Sequence, residues 1–258
     1  MVHLISLLGR ITLQVCELLG SFSLFVFNVL RALVTKRLRL HRVITQMEVI
    51  GVGSLIIVIL TGTFSGMVFA LQSYIGFQRV GGEQFIGAVV ALGMVRELGP
   101  VLTGLMITGR AGSGIAAEIG TMRITEQIDA LTTLSINPYN YLIVPRLVAS
   151  TIILPFLALF AMLCGIVGGY VVCVHVLQLS AEDYISNVST CVEMRDIIGG
   201  MIKSAVFGFI LSAVGAYQGF FAHGGARGVG AATTQAVVTG SIMILISNYM
   251  LTKMLEHL

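Results

Sequence analysis

Five long apolar stretches are the feature of this sequence that most constrains its fold. Each is about as long as the roughly 20 residues that a helix needs to cross the hydrocarbon core of a bilayer. Charged residues make up only 10% of the 258-residue chain, against about 25% in a typical soluble domain. The sequence therefore predicts one all-α integral membrane domain, with transmembrane helices at residues 49–75, 85–109, 147–174, 201–222 and 231–252.

Residues 1–42 differ from these stretches because polar residues recur through an apolar sequence. The polar positions fall three, four or seven residues apart: His3, Ser6, Arg10, Gln14, Glu17, Ser21, Asn28 and Arg31. This spacing predicts an amphipathic helix lying in the membrane interface, followed by a basic segment. A sixth span over residues 11–33 is the alternative. These residues do not predict a signal peptide, because no small-residue cleavage site follows a compact apolar core.

The basic residues predict the orientation in the membrane. With the amino end inside, ten lie in cytoplasmic segments and four in outer ones: Arg10, Arg31, Lys36, Arg37, Arg39, Arg42, Arg110, Arg123, Arg146 and Arg227 against Arg79, Arg195, Lys203 and Lys253. The positive-inside rule predicts a cytoplasmic amino end and a carboxyl end on the outer side. This orientation requires an odd number of spans and so favours the interfacial helix.

Arg96 and Glu97 interrupt the second apolar stretch, next to Gly99 and Pro100. Ionisable groups at membrane depth usually face a water-filled cavity or the interior of the protein. Neighbouring positions on a helix point about 100° apart, so the two side chains are not expected to pair with each other. They either line a water-filled cavity or bind partners on neighbouring helices that stabilise the packing.

The segment 111–138 is too polar to span and carries charges on the faces not occupied by its periodic apolar residues. It predicts one or two short amphipathic helices ended by Asn137 and Pro138. Such helices either pack on the bilayer face or contact a cytoplasmic partner. On the other side of the membrane, Ser180 and Asp183 resemble a helix start and predict a short surface helix.

Several function classes lack their sequence signals. There is no HExxH, nucleophile elbow or P-loop, and the four cysteines are too widely spaced for a CxxC site. The sequence also contains no basic domain that would predict nucleic-acid binding. We therefore expect no catalytic residue, metal site or cofactor in this chain.

Several motifs resemble the MlaE family, the permease subunits of ATP-binding-cassette systems that move phospholipids between the two membranes of diderm bacteria. They are RELGPVL, GRAGSGIAAEIGTMRITEQIDAL, an NP followed by Pro145 and Arg146, and ATTQAVV at 232–238. The resemblance extends from about residue 45 to the carboxyl end. It implies a bacterial inner-membrane protein that maintains outer-membrane lipid asymmetry. A secondary carrier or a structural membrane subunit is the alternative.

The resemblance also implies partners. The family's permease works as a homodimer with a separate ATPase, which binds ATP and Mg, with a STAS-domain protein and with a periplasmic hexameric ring of MCE lipid-binding proteins. It assigns a coupling helix, seated in the ATPase, to Glu118, Gly120, Thr121, Met122, Arg123, Thr125, Glu126 and Asp129. It implies a phospholipid cavity at the dimer interface, which Arg96 and Glu97 would line if they face a cavity rather than partners on neighbouring helices. By position, Phe69, Gln72, Phe77 and Val80 would complete this cavity, with ordinary helix packing as their alternative role.

Overall fold

The computed structural model describes residues 2–35 and 39–255, and all the regular structure in those residues is helical. The main helices are α1 (Val2–Thr35), α2 (Leu40–Phe77), α3 (Glu83–Ile124), α4 (Gln127–Thr133), α5 (Tyr139–Val176), α6 (Ala181–Cys191), α7 (Met194–Phe220) and α8 (Gly225–Leu255). Five of them, α2, α3, α5, α7 and α8, are long and apolar enough to cross a membrane. The predicted all-α fold with five spans is confirmed in this part of the chain.

The helix α3 is longer than the sequence predicts. The apolar stretch 85–109 and the polar segment after it were expected to be separate, yet the helix continues to Ile124. The turn Thr108–Gly112 is π-helical. A π-helical turn widens the helix while keeping its backbone hydrogen-bonded, so the glycines of this turn do not end it. The predicted segment 111–138 therefore begins as the last turns of a spanning helix.

The bundle has two ends, which we name after the short helices found there. At the α4 end, α3 and α7 finish and α2, α5 and α8 begin; at the α6 end, the same helices have their opposite termini. The sequence analysis predicts that the α4 end is cytoplasmic. Helix α1 packs at this end, where Phe25 is almost fully buried against the rings of Tyr139 and Tyr217.

The apolar part of α1 is Leu19–Val34, shorter than the roughly 20 residues needed for a span. Ser21 Oγ also lies 2.7 Å from the Tyr217 hydroxyl, which ties α1 to the last turns of α7. Length and position both favour the interfacial helix over a sixth span. The predicted polar stripe begins at His3, Ser6, Arg10 and Gln14, whose side chains lie outside the described part of the chain, as do Lys36 and Arg37.

Glycines let α2 and α5 approach closely. A Cβ atom added to Gly62 would lie 2.7 Å from the Ala161 carbonyl oxygen, and one added to Gly66 would overlap the Gly165 carbonyl. Small residues at such contacts are typical of membrane helices, because van der Waals packing replaces the hydrophobic drive available in water. The α2–α5 pair is therefore held by backbone-to-backbone contact.

Gly66→Ala is expected to destabilise the protein by about 1–3 kcal/mol, since the added methyl group overpacks this contact. Gly76→Ala in the same helix is the matched control, because nothing lies within 4 Å of the Cβ position there. Thermal unfolding in detergent measures both variants. Equal stability of the two would contradict the close approach.

Helix α6 covers the end of the bundle named after it. It begins as the sequence predicts, with the Ser180 hydroxyl accepting a hydrogen bond from the Asp183 backbone N–H. Tyr184 is buried, and its hydroxyl donates to the Ile166 carbonyl at 3.0 Å. Burial raises the pKa of Tyr184 well above its usual value, so this phenol keeps its proton and holds α6 against α5.

Candidate functional site

Arg96 and Glu97 lie in a second π-helical turn of α3, Met94–Leu98. Pi-helical turns inside α-helices are frequent at functional sites. Pro100 follows two residues after this turn and has no N–H to offer the Arg96 carbonyl, its partner in a regular helix. The Lys203 ammonium, from α7, donates to that carbonyl at 2.9 Å. The proline therefore exposes an acceptor that a buried cation from another helix occupies.

The Glu97 carboxylate is bound by three residues from α7 and α8. Its Oε1 accepts from Lys203 Nζ at 2.7 Å and from the Thr252 hydroxyl at 2.9 Å, and its Oε2 accepts from Asn248 Nδ2 at 2.9 Å. Lys203 Nζ also donates to the Thr252 hydroxyl at 2.7 Å. These hydrogen bonds compensate both charges and join three spanning helices.

The Arg96 guanidinium takes a different partner. Its Nε and Nη2 both lie 2.7 Å from Asp196 Oδ1. The other oxygen of Asp196 accepts from the Glu193 backbone N–H and caps the start of α7. Arg96 and Glu97 therefore bind separate counter-charges, as their angular separation predicts.

The two pairs have a buried side and an accessible side. The inner partners Asp196 and Lys203 have 8% and 4% of their side chains exposed, whereas Arg96 and Glu97 have 56% and 38% exposed. Among the described residues, no acceptor binds Arg96 Nη1, and the buried Asn248 Oδ1 has no partner either. The site thus offers the accessible donor edge of Arg96 beyond its internal hydrogen bonds, whereas Asn248 Oδ1 is an unpaired acceptor inside it.

Four residues of this polar cluster were missed by the sequence analysis: Asp196, Lys203, Asn248 and Thr252. Lys203 was counted among the outer charges, whereas the structure buries it within α7. Its burial was not predicted because a lysine near the edge of an apolar stretch is expected to extend its ammonium towards water. A signal was present nevertheless, since Glu97 in an apolar helix requires a cationic or hydrogen-bonding partner.

Of the four residues predicted to complete a lipid cavity, Phe69 lies beside the π-helical turn, because a Cβ atom added to Gly93 would lie 2.5 Å from its ring. Phe69 and Phe77 pack against an apolar cluster that contains Met94, the first residue of the π-helical turn. Gln72 is exposed on α2, and the side chain of Val80 lies outside the described part of the chain. The described partners of Arg96 and Glu97 come from α7 and α8. Phe69 and Phe77 therefore have packing contacts in a single copy of the chain, and their role in a lipid cavity stays a prediction.

The predicted coupling residues lie at the α4 end, on the last turns of α3 and on α4. Arg123 Nη1 binds Asp129 Oδ1 at 2.7 Å and fixes α4 against α3. Glu118 Oε1 binds Arg146 Nη2 at 2.6 Å, across to the start of α5. These three predicted residues, Glu118, Arg123 and Asp129, therefore orient the segment.

The other predicted coupling residues divide by exposure. Thr121, Thr125 and Glu126 are exposed, Met122 is half-buried, and Gly120 is buried beside Ala222 and Val229. Glu126 has φ 59°, in the left-handed region, at the sharp turn between α3 and α4. This turn presents the Thr125 and Glu126 side chains outwards from the bundle.

Taken together, five helices long and apolar enough to span a membrane and the ion pairs among them define a multi-pass membrane protein with charged side chains paired inside its bundle. The sequence matches the family described as Permease MlaE over residues 43–254. The chain belongs to the MlaE permease family.

Individual relatives agree with this family. A probable ABC transporter permease protein of Rickettsia conorii is 48% identical over 95% of both chains. The intermembrane phospholipid transport system permease protein MlaE of Haemophilus influenzae is 34% identical over 97% of both chains. The chloroplastic protein TRIGALACTOSYLDIACYLGLYCEROL 1 of Arabidopsis thaliana is 40% identical, over 90% of this chain and 66% of its own.

Proposed function

We propose that this chain is the membrane subunit of an ATP-driven transporter that moves phospholipids between the inner and outer membranes of a bacterium. The observation that carries the proposal is the half-accessible cluster of Arg96 and Glu97 in a chain of the MlaE family. Two relatives are named as an ABC transporter permease and as an intermembrane phospholipid transport permease. These names support a phospholipid substrate and a separate ATPase partner.

The chemistry of the cluster suits a phospholipid headgroup. The accessible edge of Arg96 matches the oxygens of a phosphate group, because a guanidinium donates through a planar fork. The Glu97 carboxylate, 38% exposed, suits an ammonium or hydroxyl donor of the headgroup. The buried Lys203 and Asp196 hold Arg96 and Glu97 in place, so that the accessible groups are already oriented before a lipid arrives.

The exposed turn at Thr125 and Glu126 is the proposed contact with the ATPase. Two ion pairs connect this turn to α3 and α5: one joins Arg123 to Asp129 and the other joins Glu118 to Arg146. In the proposed mechanism, ATP binding in the partner displaces the turn. Helix α3 carries that displacement towards the polar cluster of Arg96 and Glu97. This coupling role includes the predicted residues Gly120, Thr121 and Met122.

The proposal extends to the assembly. Helices α2 and α8 carry long exposed apolar faces in a single copy of the chain, which a bilayer or a second copy would cover. We propose a homodimer with a lipid cavity between its copies, a STAS-domain protein at the cytoplasmic side and a periplasmic MCE ring. The amino end is proposed to be cytoplasmic and the carboxyl end periplasmic. No catalytic residue, metal or cofactor is proposed in this chain.

Mass spectrometry of the protein extracted from its native membrane in mild detergent tests the function. We expect a P-loop ATPase and phospholipid to purify with it, and ATP to drive lipid transfer after reconstitution of the assembly. If the protein arrives without an ATPase under several mild extractions, the proposed function is wrong. Transport that depends on an ion gradient instead would identify a secondary carrier.

A further inference from the structure

A cavity of about 400 Å³ lies at the α4 end, far from the cluster of Arg96 and Glu97. We name it the basic pocket, and its lining includes His41, Arg42, Gln46, Glu118, Tyr141 and Arg146. Its volume falls within the range of about 300–1,000 Å³ typical of small-molecule sites. The pocket joins the first turns of α2, the last turns of α3 and the start of α5.

The two guanidiniums of the basic pocket are held in place by the protein. Arg42 stacks on Tyr141, with its guanidinium carbon 3.4 Å from the ring centroid, and Nη1 donates to the Tyr141 carbonyl at 3.2 Å. Arg146 is buried, and its Nη1 donates to the Leu142 carbonyl at 2.6 Å. Both cations are therefore ordered before any ligand binds.

The charges of the basic pocket are incompletely compensated. Glu118 pairs with Arg146, whereas no carboxylate pairs with Arg42 among the described residues. Arg146 Nε is buried and has no hydrogen-bond acceptor in the described part of the chain. A buried donor without a partner is unfavourable, and native structures usually supply one. The pocket thus calls for an anion with several acceptor oxygens.

The basic pocket lies near the level of the membrane surface. Arg42 precedes Val49, where the apolar part of α2 begins, by seven residues, which is roughly 10 Å along a helix. This distance brings the pocket to the headgroup level of a bilayer or just beyond it. Arg39, in the same helix-start region, also lies 5.3 Å from the Tyr141 ring centroid and adds positive charge at the entrance.

We propose that the basic pocket binds a phosphate group, separately from the transported lipid. Bound there, the phosphate accepts hydrogen bonds from Arg42 and Arg146 and links the start of α2 to the start of α5, where Arg146 also binds Glu118 of α3. The phosphate group belongs either to an anionic phospholipid or to a soluble phosphate. In both cases the ligand stabilises the position of the segment that is proposed to contact the ATPase.

Gln46→Glu tests this proposal without removing any described hydrogen bond. The change keeps the shape of the side chain and adds a negative charge to the pocket lining. Gln235→Glu, at an exposed position of α8 outside the pocket, is the matched control. Native mass spectrometry of the full-length variants, titrated with dioctanoyl phosphatidylglycerol, counts the lipids bound and gives the affinity of each binding step.

One binding step is expected to weaken at least about tenfold in Gln46→Glu. A tenfold loss of affinity corresponds to about 1.4 kcal/mol, and two like charges a few ångströms apart near a protein surface repel by more than this. The remaining steps and all steps of the control should not change. Dioctanoylglycerol, which lacks the phosphate, should not occupy the weakened step. Inorganic phosphate that competes for this step would identify a soluble ligand, and absence of competition would identify the lipid.

Two results would overturn the proposal. One is that every binding step has the same affinity in Gln46→Glu and in the unmodified protein. The other is that dioctanoylglycerol occupies the same step with equal affinity. Neither result bears on the transported lipid, because the Arg96 and Glu97 cluster is unchanged in both variants.

Discussion

Glu97→Ala is expected to lower the free energy of unfolding by about 3 kcal/mol, because it leaves the buried Lys203 ammonium without its counter-charge. The remaining acceptors of Lys203 are the Arg96 carbonyl and the Thr252 hydroxyl, and neither is charged. Unfolding of the protein in mixed micelles by added denaturing detergent measures this loss. ATP-driven lipid transfer by the reconstituted assembly should fall as well.

A double variant separates the ion pair from simple loss of a side chain. Glu97→Ala combined with Lys203→Met removes both charges, and replacing a buried ion pair by apolar groups is often nearly neutral. The double variant should therefore be more stable than Glu97→Ala alone. Glu182→Gln on α6, where the side chain is exposed, is the control and should not alter stability. Additive losses in the double variant would refute coupling between Glu97 and Lys203.

Glu126→Gly is expected to raise stability while weakening the interaction with the ATPase. At φ 59° a residue other than glycine is strained, and relieving this strain contributes roughly 1 kcal/mol. The same change removes the exposed carboxylate that is proposed to contact the partner, so ATPase recovered with the protein should fall about tenfold, as expected for a lost charge-assisted hydrogen bond. Co-purification and thermal unfolding measure the two effects.

Ser135→Gly is the matched control for this experiment. Ser135 has φ 58° and is exposed, but it lies outside the proposed contact. The variant should gain similar stability and keep the ATPase. If Glu126→Gly also keeps the ATPase and full lipid transfer, the coupling role assigned to this turn is wrong.

The sequence predicts the spanning helices well because transfer of apolar residues into a bilayer depends mainly on local composition. Arg96 and Glu97 stand out for the same reason, since charges in an apolar helix are costly. Their partners do not stand out. Asp196 is separated from Arg96 by 100 residues and Thr252 from Glu97 by 155, and helical periodicity carries no information across such distances.

The bounds of the helices were also only partly predictable. Helix α3 passes through Gly109 and Gly112 because a π-helical turn accommodates them, whereas the sequence analysis ended the span at the first of these glycines. In the predicted coupling segment the helices were predictable but the contacts that orient them were not. Its amphipathic pattern predicts helices, but only the structure shows that Arg123 and Glu118 orient the segment through ion pairs.

The two π-helical turns of α3 change the direction in which its later residues point around the helix axis. Each turn accommodates one residue more than an α-helical turn, and one residue corresponds to about 100° of rotation around the helix axis. The turn at Thr108–Gly112 therefore shifts the direction in which Glu118 and Arg123 point relative to Glu97, because it lies between these residues along the helix. Inserting or deleting one residue between Glu97 and Glu118 would rotate one relative to the other by about 100°.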